Sequence, residues 1–320
     1  MDPELLARFE RGDRRALARL ITHVEDGTPQ GRAALRSLYR ATGKARSIGI
    51  TGPPGAGKST LVDQLAAAFR KDGLKLAIIC VDPSSPFTGG AILADRVRMK
   101  HLQEDPDVFI RSMASRGALG GLSRTTGAVL KVLDAFGFDV ILIETVGVGQ
   151  GEVEVVREAE TCLVIEVPGL GDGIQAIKAG ILEIGHAFVV NKADNPGADR
   201  VSEQILTMLS LNPNPPEWQP PVVQTVATRG TGIDELARQV RAHWAHLDAK
   251  SLRHRHLGQR RVADLSDILK ARALGSASQR VLARPDFTEL RRQVELGQID
   301  PYEAADRLLP FDGPDEWRLP

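Results

Sequence analysis

A glycine-rich run near the start of the chain constrains the fold more than any other feature of the sequence. The segment Ser47-Ile48-Gly49-Ile50 is typical of a short buried strand, and soon after it comes Gly52-Pro53-Pro54-Gly55-Ala56-Gly57-Lys58-Ser59-Thr60. The run completes the G-x-x-x-x-G-K-[ST] pattern, in which glycines let backbone N–H groups converge on phosphates at the start of a helix. We therefore predict a phosphate-binding loop between a strand and a helix. The alternative, a glycine turn that binds nothing, is disfavoured by the complete pattern.

Two residue types at the end of this loop predict a nucleoside triphosphate bound with a divalent cation. Lys58 places a point positive charge where β- and γ-phosphates would lie, and the Ser59 hydroxyl is an expected Mg²⁺ ligand. Further Mg²⁺ candidates are acidic residues at predicted strand ends or in loops: Asp82, Asp95 and Glu144. Asp82 could instead form a turn with Pro83, and Asp95 could be a charge on a helix face.

A second loop, after the apolar run ending at Ile143, predicts a nucleotide-sensing element. Glu144-Thr145-Val146-Gly147 resembles a D-x-x-G loop, in which the glycine N–H senses the γ-phosphate. The residues expected to take part in hydrolysis are Lys58, Asp82, Glu144 and Gly147. Val148 stands where many GTPases place the glutamine that orients the attacking water, so we expect slow intrinsic hydrolysis unless Gln150, an acidic residue or a partner supplies that function.

The sequence Asn191-Lys192-Ala193-Asp194 matches the N-K-x-D guanine signature and follows an apolar strand-like run. A carboxylate can accept hydrogen bonds from guanine N1–H and the 2-amino group, which adenine does not offer as a pair, so Asp194 is the expected specificity residue. Asn191 is expected to brace the loop or contact the base, with the stem of Lys192 lying along it. Val226-Ala227-Thr228 stands where GTPases present a backbone N–H to guanine O6.

The arrangement of apolar runs predicts the fold class and the domains. Between Arg46 and about Asp248, continuous apolar runs alternate with helical patterns, which is typical of parallel strands buried on both faces. We predict an α/β fold with a mostly parallel P-loop NTPase sheet flanked by helices. The predicted divisions are a helical N-terminal extension over 1–45, a GTPase domain over 46–248, and a helical C-terminal arm over 249–320, in which Val262–Leu274 and Phe287–Leu296 are expected helices.

Composition limits the classes of partner. The 320 residues carry a formal net charge of zero, which gives no support to a nucleic-acid or anionic-membrane partner. Cys80 and Cys162 both lie in apolar strand-like runs, so neither a disulfide nor a thiolate metal site is expected. The N-terminus lacks an apolar signal region, and no segment approaches the roughly 18 to 20 apolar residues of a membrane span. A cytoplasmic location is therefore expected.

Several longer strings carry a family resemblance that covers nearly all of the chain. They are GITGPPGAGKSTL, VDPSSPFTGGAILADRVRM, IRSMASRGALGGLS, ILIETVGVGQGE, VPGLGDGIQAIKAG, VVNKAD and QIDPYEAADRLL. With them the chain resembles the MeaB/ArgK-type GTPases, the chaperones of adenosylcobalamin-dependent methylmalonyl-CoA mutase that include the methylmalonic aciduria type A protein. The resemblance implies a GTPase of the signal-recognition and nickel-inserter class. It also implies a homodimer formed through the C-terminal arm, and a function in gating cofactor delivery to an acyl-CoA mutase and protecting it.

The resemblance also assigns residues. Asp82 and Asp95 fall on the family's magnesium and first-switch acids, and Glu144 falls in the second switch. The third switch falls on 168–180, where Asp172, Gln175 and Lys178 are the expected partner-coupling residues. No D-x-H-x-x-G string that would ligate cobalamin is present, so adenosylcobalamin is expected only through the partner. Some residues, such as Gly173-Ile174, differ from the family's usual sequence, and these differences leave the identity of the partner mutase open.

Three alternatives stay open at this point. A nickel-inserting GTPase would share the chemistry, although the seven histidines are scattered without ligand spacing. A P-loop small-molecule kinase would prefer ATP, against the guanine signature. A GTP sensor that does not hydrolyse its ligand is compatible with Val148.

Overall fold

The computed structural model describes residues 2–83, 102, 104–115, 121–145, 158–169, 184–212 and 215–310, with the backbone alone at 82–83, 114–115 and 121–124. Helices and strands alternate over most of this range. In chain order they are α1 (Pro3–Glu10), α2 (Arg14–Glu25), α3 (Pro29–Leu38), β1 (Arg46–Thr51), α4 (Lys58–Lys71), β2 (Leu76–Pro83), β3 (Val108–Ser115), α5 (Gly121–Phe136), β4 (Val140–Thr145), β5 (Thr161–Glu166), β6 (Ala187–Asn191), α6 (Ala198–Ser210), β7 (Val222–Thr225), α7 (Ile233–Ala249), α8 (Leu252–Leu282), α9 (Phe287–Glu295) and α10 (Pro301–Leu308).

The strands of the described residues form one parallel sheet in the order β3-β2-β4-β1-β5-β6-β7. This confirms the predicted α/β fold. The strand that leads into the glycine-rich loop, β1, lies at the centre, with Ile48 opposite Leu142 of β4 and Thr161 of β5. Ligands of open parallel sheets bind beyond the carboxyl ends of the strands, so this position places the loop in the middle of the expected binding edge.

Both faces of the sheet are covered, as the unbroken apolar runs predict. On one face Ile48, Ile50 and Leu163 pack with α4 and α7, where Phe69 stacks on Trp244 with ring centroids 5.6 Å apart. On the other face the N-terminal helices and α5 cover β2, β3 and β4, and α6 covers β5 and β6. Alternate residues of each strand enter opposite layers, which is why these strands lack polar alternation.

The N-terminal extension is helical, as predicted, and each helix begins at a capping side chain. Asp2, Asp13 and Thr28 accept hydrogen bonds from backbone N–H groups in the first turns of α1, α2 and α3. The apolar stripes of these helices are buried, with Phe9 edge-on to Phe136 of α5 at 5.1 Å. This extension therefore shares a hydrophobic core with the sheet.

The chain separates into two compact units, Met1–Arg255 and His256–Pro320. In the second unit α9 and α10 contact each other, and Leu290 of α9 and Ala304 of α10 are buried. Asp300 caps α10 ahead of Pro301, as the sequence predicts. The helix α8 is longer than the expected 262–274 segment and buries none of its described side chains. No helix among the described residues combines the length and the apolar character needed to cross a membrane.

Candidate functional site

The glycine-rich loop joins the carboxyl end of β1 to the amino end of α4, and two of its glycines are required by close approaches. Gly52 has φ +146°, and a Cβ there would lie 2.3 Å from the carbonyl oxygen of Ile165. Gly57 has φ +86°, and a Cβ there would lie 2.5 Å from Nδ2 of Asn191. Both positions favour glycine because L side chains rarely adopt such φ values and because no space is available. The loop therefore lies in close contact with β5 on one side and with Asn191 at the end of β6 on the other.

Lys58, the first residue of α4, is buried at the mouth of this loop. Its ammonium group donates to the carbonyl oxygens of Gly52 at 2.7 Å and Pro53 at 3.0 Å. An ammonium group this well enclosed requires such partners, because leaving a buried charge without them is costly. The positive charge is thus held where the phosphates of a bound nucleotide are expected.

The Ser59 hydroxyl donates to Oε1 of Glu144 at 2.6 Å. Glu144 lies near the end of β4, next to β1 in the sheet, and is 1% exposed. Cys80 of β2 lies opposite Glu144 in the strand register, with its sulfur 4.0 Å from Oε2. A hydroxyl and a carboxylate beside the phosphate loop are the hard oxygen donors that Mg²⁺ prefers, so the residues present fit this cation.

Asn191, the last residue of β6, connects three loops. Its Nδ2 donates to the carbonyl oxygen of Ala56 at 2.8 Å, while its Oδ1 accepts from the Thr225 hydroxyl at 3.0 Å and from the Ala227 N–H at 3.1 Å. The side chain is 2% exposed. The structure therefore brings the N-K-x-D segment, the phosphate loop and the Val226-Ala227-Thr228 segment together at one edge of the sheet.

The carboxylate of Asp194 lies in the loop after β6 and is partly exposed, with Oδ2 3.3 Å from a guanidinium nitrogen of Arg229. Lys192, in the same loop, is exposed and has φ +56°. The Ala227 N–H, in the segment expected to contact guanine O6, donates to Asn191 in this structure. Any contact between this segment and a base would therefore share that N–H or use a neighbouring one.

Some of the remaining predicted site residues lie where the sequence places them, and others lie outside the described residues. In the first group, Gly55, with φ +78°, and the buried Ala56 belong to the phosphate loop, and the backbone of Asp82 lies at the carboxyl end of β2. The other group lies outside the described residues: Asp95, Gly147, Asp172, Gln175 and Lys178.

Two residues near the site were missed by the sequence reasoning. Glu166 ends β5 and is buried, and burial raises the pKa of its carboxyl to about 7. The signal was present, because an acidic residue directly follows the apolar run Cys162–Ile165. Arg229 carried no such signal, because an arginine in a glycine-bearing loop is normally an exposed charge.

A phosphate loop and a base-recognition loop, joined through one buried asparagine at the edge of a parallel sheet, define a P-loop nucleotide-binding protein. Comparison with known proteins gives the family. The profile of the family described as methylmalonyl Co-A mutase-associated GTPase MeaB matches residues 17–281. The chain therefore belongs to the MeaB family of GTPases and hydrolyses GTP.

Individual relatives agree with this assignment. A protein of Pyrococcus abyssi with a provisional GTPase name is 47% identical over 97% of this chain and 96% of its own length. The mouse protein named methylmalonic aciduria type A homolog, mitochondrial, is 32% identical over 93% of this chain and 76% of its own. Among solved structures, an LAO/AO transport system kinase superposes with a TM-score of 0.70 at 27% identity, over 95% of each chain.

Proposed function

We propose that this protein binds GTP or GDP with Mg²⁺ at the carboxyl edge of its sheet and uses the nucleotide state to gate an acyl-CoA mutase. One observation carries the nucleotide part: the hydrogen bond from Asn191 to the Ala56 carbonyl oxygen ties the phosphate loop to the N-K-x-D loop. A ligand that fills both loops carries phosphates at one end and a purine at the other. Titration calorimetry with GTP and ATP in the presence of Mg²⁺ tests this, and tighter binding of ATP would refute guanine selection.

The proposed contacts divide the nucleotide between named residues. The backbone of residues 52–60 surrounds the phosphates, and Lys58 exchanges its carbonyl partners for phosphate oxygens. Asp194 accepts from the guanine N1–H and 2-amino groups. An Asp194→Asn variant should lose most of its preference for GDP over other purine diphosphates, while its affinity for the phosphate portion stays near the wild-type value.

The Mg²⁺ ligands would come from Ser59, Glu144, Asp82 and Asp95. The contact of Ser59 with Glu144 supports the first two, and the position of Asp82 at the end of β2 is compatible with the third. When bound, Mg²⁺ supplies positive charge that balances the phosphates during phosphoryl transfer. Glu144 accepts a hydrogen bond from the Ser59 hydroxyl, and Gly147 is proposed to sense the γ-phosphate through its N–H.

Slow intrinsic hydrolysis with stimulation by a partner is the proposed kinetic behaviour. The description of the family, a methylmalonyl Co-A mutase-associated GTPase, supports an adenosylcobalamin-dependent acyl-CoA mutase as that partner. Asp172, Gln175 and Lys178 are proposed to couple the nucleotide state to it. A Lys178→Ala variant should bind GDP like the wild type but respond less to the mutase. GTP turnover measured with and without purified cobalamin-dependent mutases decides this, and no stimulation of the wild type by any of them would refute the partner.

We also propose that the C-terminal arm, residues 249–320, forms a homodimer, that residues 46–248 are the GTPase domain, and that residues 1–45 are an N-terminal extension packed on it. Supporting this, α8 exposes apolar side chains at helical spacing, among them Val262, Leu265 and Leu269, each more than half exposed. Light scattering of a Leu265→Asp/Leu269→Asp variant should report a monomer, whereas Ser276→Asp on the same helix serves as the control. A wild-type monomer at micromolar concentration would refute the dimer.

A cytoplasmic location remains a prediction of the sequence.

The solved relative is named a transport system kinase, and a kinase would use the same loop to transfer phosphate to a small molecule. Such an activity predicts ATP preference, so the same calorimetric titration distinguishes it from the GTP hydrolysis of the family.

A further inference from the structure

The guanidinium of Arg229 lies beside the carboxylate of the base loop. A guanidinium nitrogen of Arg229 is 3.3 Å from Oδ2 of Asp194, with side-chain exposures of 69% and 35%. Among the residues that the structure describes, Arg229 is the cation within ion-pairing distance of this carboxylate. The pair is accessible to solvent, and it spans two loops that follow different strands, β6 and β7.

The backbones of these two loops are fixed relative to each other. The Ala193 N–H donates to the carbonyl oxygen of Thr225 at 3.0 Å, which joins the loops next to Asp194. On the other side, the Arg229 N–H donates to the carbonyl oxygen of Val226 at 2.9 Å in a 3₁₀ turn. The first bond joins the two loops and the second fixes the turn that carries Arg229, so the backbones place Arg229 beside Asp194.

The contact leaves room for a base. An ionised carboxylate offers about four acceptor positions on its two oxygens, and one ion-pair contact occupies at most one of them. The two donors of guanine, N1–H and the 2-amino group, would use two others. The carboxylate therefore has enough acceptor positions for the guanidinium and for both guanine donors at once.

We propose that Arg229 is a positioning residue for guanine selection, which holds the Asp194 carboxylate in the orientation that accepts both donors of the base. This inference rests on the proposed guanine contact of Asp194. A cation that pairs with Asp194 across the loops lowers the orientational freedom that the carboxylate would otherwise lose on binding. Arg229 would thus favour the ligand that uses both oxygens, guanine, over hypoxanthine, which lacks the 2-amino group.

Calorimetric titration of the full-length protein with GDP and IDP, in the presence of Mg²⁺, tests the proposal. For Arg229→Gln we expect GDP binding to weaken by about two- to five-fold, the range that an exposed ion pair supports. IDP binding should weaken less, so the GDP-to-IDP preference falls, and Arg229→Lys should restore part of it. Arg238→Gln is the matched control, because Arg238 is 72% exposed and pairs with Glu235 on α7. It should leave both affinities unchanged.

Measurements in the Asp194→Asn variant distinguish the positioning role of Arg229 from the guanine contact of Asp194. If Arg229 acts through the carboxylate, Arg229→Gln should not change the GDP-to-IDP ratio further in that background. Equal weakening of GDP and IDP, unchanged affinities, or tighter GDP binding in Arg229→Gln would each overturn the positioning role. If Asp194→Asn itself leaves the GDP-to-IDP ratio at the wild-type value, the guanine contact of Asp194 fails instead.

Discussion

Replacing Asn191 with alanine should destabilise the protein and weaken nucleotide binding together. The variant removes the partner of three groups: the Ala56 carbonyl oxygen, the Thr225 hydroxyl and the Ala227 N–H. Asn191 itself is 2% exposed, so these groups face a closed space. A buried polar group left without a partner costs about 1–3 kcal/mol, and water entering the new space offsets part of the three losses. We therefore expect a net loss of roughly 2–4 kcal/mol.

Thermal unfolding of the nucleotide-free protein measures this effect. A loss of that size lowers the melting temperature by roughly 5–10 °C for a domain of this length. GDP affinity should fall at the same time, because the variant loosens both the phosphate loop and the base loop. Asn195→Ala is the control, since Asn195 is exposed in the same segment. A melting temperature for Asn191→Ala within about 1 °C of the wild type would refute the reasoning that the three contacts are structural.

Three further predictions concern the phosphate loop and the neighbouring strand. Lys58→Ala should abolish tight GDP and GTP binding by removing the charge held at the loop, as measured by calorimetry. Gly52→Ala should weaken nucleotide binding at least ten-fold, because the added Cβ meets the Ile165 carbonyl oxygen at 2.3 Å. Burial raises the pKa of Glu166 to about 7, above its ordinary 4.5, so the folded state retains the proton longer than the unfolded chain does. The wild type should therefore lose up to about 3 kcal/mol relative to Glu166→Gln as the pH rises from about 4.5 to 7, measured by urea unfolding.

Each of these has a contrary result. If Lys58→Ala binds GDP as tightly as the wild type, the proposed contact of Lys58 with the phosphates is refuted. If Gly52→Ala keeps its nucleotide affinity, the loop accommodates a Cβ at this position without cost. For Glu166, parallel stability curves of the wild type and the Gln variant between pH 4.5 and 8 would show that the carboxyl does not titrate as its burial implies.

The sequence predicted the fold and the phosphate loop because both depend on local patterns. Apolar runs without alternation indicate strands covered on both faces, and the three glycines with Lys58 specify a strand, a loop and a helix within fifteen residues. The helical arm was expected from about Leu252, but the apolar pattern of 262–274 marks only part of α8, because Leu252–Arg261 is almost entirely polar and periodicity gives no signal without apolar residues. Its helical conformation depends on propensity along the whole segment.

Side-chain contacts between distant segments were harder to predict. The strand-end positions of Glu144 and Asn191 were expected, but the contact of Glu144 with Ser59 depends on β4 lying next to β1 in the sheet. The ion pair of Arg229 with Asp194 depends likewise on the pairing of β6 with β7, which brings two loops 35 residues apart into contact. Strand order is a property of the assembled sheet, so no local pattern contains it.

The hydrogen bonds of Lys58 to the Gly52 and Pro53 carbonyls bear on which ligands the loop can bind tightly. A ligand that draws the ammonium group away from these two carbonyl oxygens has to supply stronger acceptors in their place. Anionic phosphate oxygens meet this demand, because hydrogen bonds to an ionised acceptor are stronger than those to a neutral carbonyl, so the loop favours polyphosphates over weakly charged molecules.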